Sequence, residues 1–209
     1  MITRSDSVQP PMIFESIRIE LGAIQYVEYH NLRLNRSRKQ LYHCTDIIRL
    51  ESIIDIPSHA RNGNFKCRVI FSGHLHKIEF QPYTPRVVKS IIMIESDHMD
   101  YSHKYLDRSA IDDLFSQRGD ADDILIIRNG YVTDTSYANI VFWNGRDWIT
   151  PSTPLLNGTA RQRLLQEGKI LQAELKPKDI SNFLGFKLIN AMLDFDDQAN
   201  QIISTGNIQ

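Results

Sequence analysis

The stretch NGYVTDTSYANIVFWNG, residues 129–145, decides the fold class. It begins with Asn129-Gly130 and ends with Asn144-Gly145. Asn-Gly beside apolar runs marks tight turns, because these residues accept positive φ. Before it, DDILIIRNG (122–130) is a nearly continuous apolar run of strand length, stopped by Asn129-Gly130. Such a run suits a strand buried on both faces. YVTD (131–134) and ANIVFWNG (138–145) read as further strands, and WIT (148–150) pairs back after the second Asn-Gly turn. Strands joined by hairpin-like connections point to an α+β protein rather than a doubly wound sheet.

Outward from this centre the chain keeps the same character. RSAIDDLFSQRG (108–119) reads as a helix ending at Gly119, and VVKSIIMIES (87–96) as an apolar strand. Pro82 and Pro85 bracket a stiff connection, where a domain boundary is placed. FKCRVIFSG (65–73) and HLHKIEFQPY (74–83) read as a strand pair around Ser72-Gly73, after a loop over 56–64. TDIIRLESII (45–54) is expected to be helical with Thr45 as its N-cap, and HNLRLNRSRKQLYHC (30–44) is a second helix. MIFESIRIE (12–20) alternates imperfectly but reads as a strand, with AIQYVEY (23–29) as its hairpin partner. Toward the C-terminus the reading is a helix over 158–168, a strand over 169–175, a short helix over 178–184 and a last strand, FKLINAML (186–193). The expected organisation is a flexible arm (1–11), a small α+β domain (12–85) and a larger one (86–209).

Composition sets the outer limits. The chain has 209 residues, with 42% hydrophobic and 23% charged, which excludes a wholly disordered polymer. Lys plus Arg (24) nearly balance Asp plus Glu (25), whereas dedicated nucleic-acid binders carry a basic excess. Cys44 and Cys67 are the only cysteines, too few for a disulfide framework or an all-cysteine zinc site, and their scarcity suits a reducing cytoplasm. The N-terminus MITRSDSVQPPM lacks the apolar run of a signal peptide, and no run approaches the ~20 residues of a membrane span.

Four segments could carry chemistry together. WITPSTPLLNGTARQRLL (148–165) places Gly158, Thr159 and Ala160 at a helix start. Glycine there lets a ligand approach the backbone, and the free N–H groups of the first turn favour a phosphate. An ordinary capped helix is the alternative. YSHKYLDR (101–108) places Lys104 among His103, Arg108 and tyrosines. Neighbouring cations and apolar surface lower a lysine's pKa and free its amine, although most lysines are solvated surface groups. Asp134 ends a strand, as an Asx-turn residue or as a carboxylate facing a ring nitrogen. HNLRL (30–34) places Arg33 on a helix.

Taken in order, these motifs resemble the class IV aminotransferase family, the fold-type IV enzymes that use pyridoxal 5'-phosphate. FESIRIE resembles the opening FETxR, HNLRL the HxxRL helix, and SHKYLDR the HKxxxR lysine segment. VTDTSYANIVF resembles VTExxxxNxF, LNGTAR resembles LPGTxR, and LINAM resembles the last strand. The resemblance covers residues 14 to about 193. It is closest to the 4-amino-4-deoxychorismate lyase branch, including the lyase-like domain fused to aminodeoxychorismate synthase component I. It implies the two-domain fold of D-amino-acid-aminotransferase-like enzymes, here short at the N-terminus.

The resemblance also implies roles. Lys104 is the lysine that carries the cofactor and acts as the catalytic base. Asp134, where the family usually has glutamate, pairs with the pyridine nitrogen, and Asn139 braces the cofactor's edge. Arg33, Thr159 and Ala160 hold the phosphate, with Asn190 and Ala191 closing the cup. Arg68 faces a substrate carboxylate, and Ser16 and Arg18 line the same pocket. A tyrosine five residues after the lysine is usual in the transaminases; Ser109 stands there, and Arg108 follows the lyase pattern. The implied reaction is conversion of 4-amino-4-deoxychorismate to 4-aminobenzoate and pyruvate in cytoplasmic folate synthesis, by a homodimer with a possible functional link to a separate synthase. The alternatives are a transaminase of branched-chain or D-amino acids and a non-catalytic dimer module of the same fold.

Other readings carry less. His74, His76, His98, Asp100 and His103 are potential zinc ligands, but solvated or hydrogen-bonded histidines are the commoner outcome, and no metal is assigned. Arg33, Arg36, Arg38 and Lys39 form a basic helix, read as a solvated face with one inward arginine rather than as a nucleic-acid surface. Trp143 and Trp148 flank an Asn-Gly turn as cross-strand or core residues.

Overall fold

The structure, a computed structural model, describes residues 10–193, 195–196 and 201–209. Most of the expected arm, residues 1–9, lies outside the described residues. Strand β1 (Ile13–Glu20) runs into β2 (Ala23–Ile24). Helix α1 (Val27–Tyr42) and the one-turn α2 (Leu50–Ile53) follow. Strands β3 (Asn64–Phe71) and β4 (Leu75–Pro82) complete an antiparallel sheet of order β2-β1-β3-β4. Next come β5 (Ile91–Glu95), α3 (Ser109–Ser116), β6 (Asp123–Arg128) and β7 (Tyr131–Thr135). These three strands form a sheet of order β5-β6-β7. The third sheet joins β8 (Asn139–Trp143), β9 (Trp148–Pro151), β10 (Leu171–Ala173), β11 (Gly185–Ile189) and β12 (Ile203–Ser204) in the order β10-β9-β8-β11-β12. Helix α4 (Thr159–Gln166) sits between β9 and β10 in the chain.

The fold is α+β, as the hairpin pattern predicts. Two pairings are nevertheless parallel, β5 with β6 and β9 with β10, and each is bridged by a helix. The Asn129-Gly130 turn has both residues at positive φ, 52° and 76°, as a tight hairpin requires. Strand β6 explains its own composition. Leu125 and Ile127 enter one apolar cluster with Ile140, Phe142 and Phe186, while Ile124 and Ile126 enter another with Ile111, Met99 and Leu155. Alternate residues point to opposite faces, so a strand covered on both sides must be apolar throughout. On β8, Ile140 and Phe142 face the first cluster, while Val141 meets Leu164 of α4.

Three expected elements differ from the structure. The strand expected over 23–29 stops at Ile24, and α1 begins at Val27. Tyr26 takes a left-handed conformation (φ 50°), which ends extended pairing and turns the chain into the helix. The helix expected over 45–54 shrinks to α2, and Thr45 does not cap it. Two asparagines of α1 take the backbone groups instead. Asn35 Oδ1 accepts from the Ile48 N–H at 2.9 Å, Asn35 Nδ2 donates to the Ile48 carbonyl at 2.8 Å, and Asn31 Oδ1 accepts from the Leu50 N–H at 2.8 Å. The last strand, expected over 186–193, ends at Ile189. Asn190 then turns the chain, its Oδ1 accepting from the Met192 N–H at 2.8 Å. Replacing Asn35 with Ala removes the Ile48 bonds at once. The Asn35→Ala protein is expected to lose about 1–3 kcal/mol, read from chemical denaturation, with no effect on the hairpins.

Candidate active site

Between the four-stranded sheet and the other two lies a cavity of about 370 Å³. That volume falls in the range of small-molecule sites, about 300–1,000 Å³. Its wall includes Phe14 and Ser16 from β1, Arg33 from α1, Lys66 and Arg68 from β3, and Lys104 and Arg108 from the irregular segment before α3. Asp134 and residues 135–139 form a second wall, and Gly158, Thr159, Asn190 and Ala191 a third.

Lys104 is placed by backbone pairing with β1. The Phe14 N–H donates to the Lys104 carbonyl at 2.9 Å, and the Leu106 N–H to the Met12 carbonyl at 2.8 Å. The ammonium lies 4.7 Å from the Phe14 ring centroid, and the Arg68 guanidinium 4.6 Å from the same ring. Desolvation lowers the Lys104 pKa to about 7, aided by Arg33, Arg108 and Arg68 and opposed by Glu15. Near neutrality a large share of this lysine is therefore a free amine, able to act as nucleophile or base.

Asp134 is buried at 5% exposure. Its Oδ1 accepts from Asn139 Nδ2 at 2.7 Å and its Oδ2 from the Leu156 N–H at 2.9 Å. Burial raises its carboxyl to about 6 despite these donors and the nearby Arg161. A cationic N–H brought against it would favour the carboxylate. Asn139 in turn donates to the Leu156 carbonyl at 2.9 Å. Gly158 backs onto this asparagine so closely that a Cβ there would clash with Asn139 Oδ1. Glycine is required here by approach, not by φ. Gly158 starts α4 without any side-chain cap, which leaves the first-turn N–H groups available to an anion.

Other expected residues divide between two spaces. Thr159, Asn190 and Ala191 line both the cavity and a small neighbouring cleft. Ala160 and Arg18 line only the cleft. Arg18 shares the Ser16 face of β1 but lies about 7 Å further along the strand, beside the cleft rather than the cavity, and it pairs with Glu20 at 2.8 Å. Arg68 does reach the cavity, and its Nε is buried with no hydrogen-bond partner among the described residues. His74 and His76 lie ring to ring at 4.4 Å, with His76 bonded to Ser72, and His103 bonds Ser37 at 2.9 Å. Among the described residues no three His, Cys, Asp or Glu side chains gather in a metal-holding group.

Several residues escaped the sequence reading. Lys66 stands two residues before Arg68 on β3, so strand periodicity could have placed it on the same wall. Tyr83 and Tyr137 also line the cavity. Glu15 is the larger omission. On β1 the row Ile13, Ile17, Ile19 packs into the core, and Glu15 occupies the same row at 2% exposure. A lone acid in an apolar row demands a partner, which was the available signal. Its partners are Arg33 (Nε to Oε1 at 2.8 Å, Nη2 to Oε2 at 2.6 Å) and His30 (Nδ1 to Oε2 at 2.6 Å). Burial alone would raise the Glu15 carboxyl, but Arg33 and His30 hold it at about 2.

The family model for class IV amino-transferases matches residues 12–195. The chain belongs to that family. It is 41% identical over 182 residues to an uncharacterised Haemophilus influenzae protein, covering 86% of this chain and 97% of the relative. A Haemophilus somnus 129PT structure, provisionally assigned as a 4-amino-4-deoxychorismate lyase, superposes with a TM-score of 0.82 at 34% identity, covering 87% of this chain and 96% of that one. A hypothetical Mycobacterium tuberculosis aminotransferase with pyridoxal phosphate bound shares the fold: TM-score 0.75, 16% identity, 100% and 87% coverage.

The lowered Lys104 pKa has a consequence for stability. The unfolded chain takes up this proton near the ordinary lysine value, the folded chain only near 7. Stability therefore falls as pH drops from above 10 toward 7, because the unfolded state binds the extra proton. Lys104→Met removes that dependence. Its melting temperature is expected to exceed the wild type's at pH 7, and the difference should shrink toward pH 10. A difference that stays flat with pH would contradict the desolvated amine. Gly158→Ala is expected to lower the melting temperature, by forcing Asn139 away from Asp134.

Proposed function

We propose that this protein is a pyridoxal-phosphate-dependent lyase that converts 4-amino-4-deoxychorismate to 4-aminobenzoate and pyruvate. The carrying observation is Lys104, a lysine lowered to about 7 inside a cavity whose opposite wall holds a buried carboxylate. Family membership indicates the cofactor, pyridoxal 5'-phosphate. The residues present fit it. Lys104 supplies the amine that carries it, Asp134 the carboxylate for its ring nitrogen, and Asn139 the brace behind Asp134. Arg33, Thr159, Ala160, Asn190 and Ala191 supply the phosphate cup, with the uncapped first turn of α4 as its floor.

When bound, the cofactor supplies an electron sink for the carbon bearing the substrate amine. Lys104, as a free amine, takes the proton from that carbon. The bond between the adjacent ring carbon and the ether oxygen breaks, the ring becomes aromatic, and the oxygen leaves with the enolpyruvate, which gains a proton on its methylene carbon and departs as pyruvate. Atoms balance without water or an external acceptor.

Charge supports this substrate. Arg33, Lys66, Arg68, Lys104 and Arg108 line the cavity, with Asp134 the one carboxylate among its described lining residues. The substrate carries two carboxylates, and Arg68 and Lys66 on one face of β3 are suited to them, with Ser16 alongside. Arg108 donates to the Ser136 carbonyl at 2.7 Å and so braces the loop next to Asp134. Aminotransferase chemistry is the second reading, since the same lysine and acid serve both reactions. The proposal extends to a small lobe (12–85) and a larger one (86–209), a homodimer, and a cytoplasmic place in folate synthesis beside a separate aminodeoxychorismate synthase. No helix among the described residues is long and apolar enough to cross a membrane.

The decisive measurement begins with the visible spectrum of the protein incubated with pyridoxal phosphate, before and after borohydride. A visible band that borohydride fixes covalently, and that Lys104→Ala loses, is expected. Supplied with aminodeoxychorismate, the loaded protein is expected to release pyruvate and 4-aminobenzoate in equal amounts. Amino transfer to a keto acid without pyruvate release would replace the lyase with a transaminase. A folded wild type with no band would overturn both.

A further inference from the structure

We propose that Glu15 is the positioning residue for Arg33: it holds the guanidinium so that its free edge meets the cofactor's phosphate, and it sets phosphate affinity without touching the ligand. This rests on the cofactor reading above.

The geometry separates the two residues by face. Arg33 lines the cavity, whereas Glu15 is buried behind it in the Ile13, Ile17, Ile19 row of β1 and is not part of the cavity wall. Glu15 grips one edge of the guanidinium, through Nε at 2.8 Å and Nη2 at 2.6 Å. A guanidinium is a rigid planar fork with five donors, so fixing one edge fixes the other. The remaining nitrogen, Nη1, has no hydrogen-bond partner among the described residues, although Arg33 belongs to the cavity wall. It is therefore free for an anion.

His30 adds a second donor to Oε2, the oxygen that Arg33 Nη2 already engages. It stands three residues before Arg33 on α1, on the same helix face. Glu15 is held ionised at about 2, so it can only accept, and the 2.6 Å contact makes His30 Nδ1 the donor. Burial lowers the His30 pKa, which favours a neutral imidazole with its proton on Nδ1. Both Glu15 oxygens are thus committed, and the carboxylate has one orientation.

An isolated arginine would lose rotamer entropy on fixing an anion. Here the chain meets that cost on folding, before any ligand arrives. An apolar residue at position 15 would complete the β1 row without burying a charge, so the carboxylate is not explained by core packing alone. It is explained by what it does to the arginine in front of it.

The test compares two ligands that differ only in the phosphate. Wild type and Glu15→Gln are titrated with pyridoxal phosphate and with pyridoxal, following the visible band, with circular dichroism as the fold control. Glu15→Gln is expected to weaken pyridoxal phosphate about tenfold or more, the scale of a charge-assisted contact. Pyridoxal affinity is expected to change far less, within about threefold, since pyridoxal brings no phosphate to Arg33 and the influence of Glu15 on the Lys104 amine is common to both ligands. Equal losses for both ligands would show a merely structural role and overturn the proposal, as would no loss for either. A wild type that binds neither ligand would instead overturn the cofactor reading itself. Should Glu15→Gln fail to fold, Glu15→Asp keeps the charge but shortens the reach. The same selective loss, smaller in size, is then expected, and its absence would overturn the assignment.

Discussion

Everything around the cavity depends on the short backbone crossing between β1 and the lysine segment. The Phe14 N–H to the Lys104 carbonyl (2.9 Å) and the Leu106 N–H to the Met12 carbonyl (2.8 Å) tie the four-stranded sheet to a segment with no regular structure of its own. A segment without a helix or sheet to satisfy its backbone must borrow partners, and here β1 lends them. The crossing holds Lys104 beside Phe14, places the cationic face of β3 opposite Asp134, and leaves the cavity between them.

Charge is distributed across this site with a clear division of labour. Cations line the cavity, and the acid that steadies one of them is hidden behind the wall. Glu15 offsets Arg33 in the interior, but Lys104 remains lowered, by burial first and by Arg33 second, against the opposing pull of Glu15. Asp134 shows the opposite balance. Two hydrogen bonds and Arg161 favour its charged form, yet burial outweighs them and its carboxyl rises. The two groups are thus pushed toward each other's range, the lysine down to about 7 and the acid up to about 6. Paired titratable groups displaced in this way are what acid–base chemistry near neutral pH requires.

Much of the strand framework was legible because its signals are local. The apolar run of β6, the Asn-Gly turns and the Gly158 helix start each follow from a few adjacent residues. The errors came where distant side chains competed with local propensity. Thr45 reads as a helix cap, but Asn31 and Asn35 of α1 take the backbone groups of Ile48 and Leu50. Tyr26 breaks the strand expected over 23–29 by adopting a left-handed backbone that no sequence pattern demanded. Of the site, Lys104, Arg33, Asp134, Asn139, Thr159, Asn190, Ala191, Arg68 and Ser16 all reach one cavity, while Arg18 and Ala160 line its neighbour.

By itself the sequence determined the α+β class, the order of the chemistry-bearing segments and the family they resemble. The class and the segment order follow from periodicity and turn residues, which are properties of neighbours along the chain, and the family from the resemblance of the motifs. Tertiary structure decided what no spacing contains. It turned a polar interruption in an apolar row into the anchor of Arg33, and it desolvated Lys104. It also brought Gly158, at the start of α4, within contact of Asn139 on β8. Each of these depends on the close approach of residues far apart in sequence, and pKa and orientation are set by that approach.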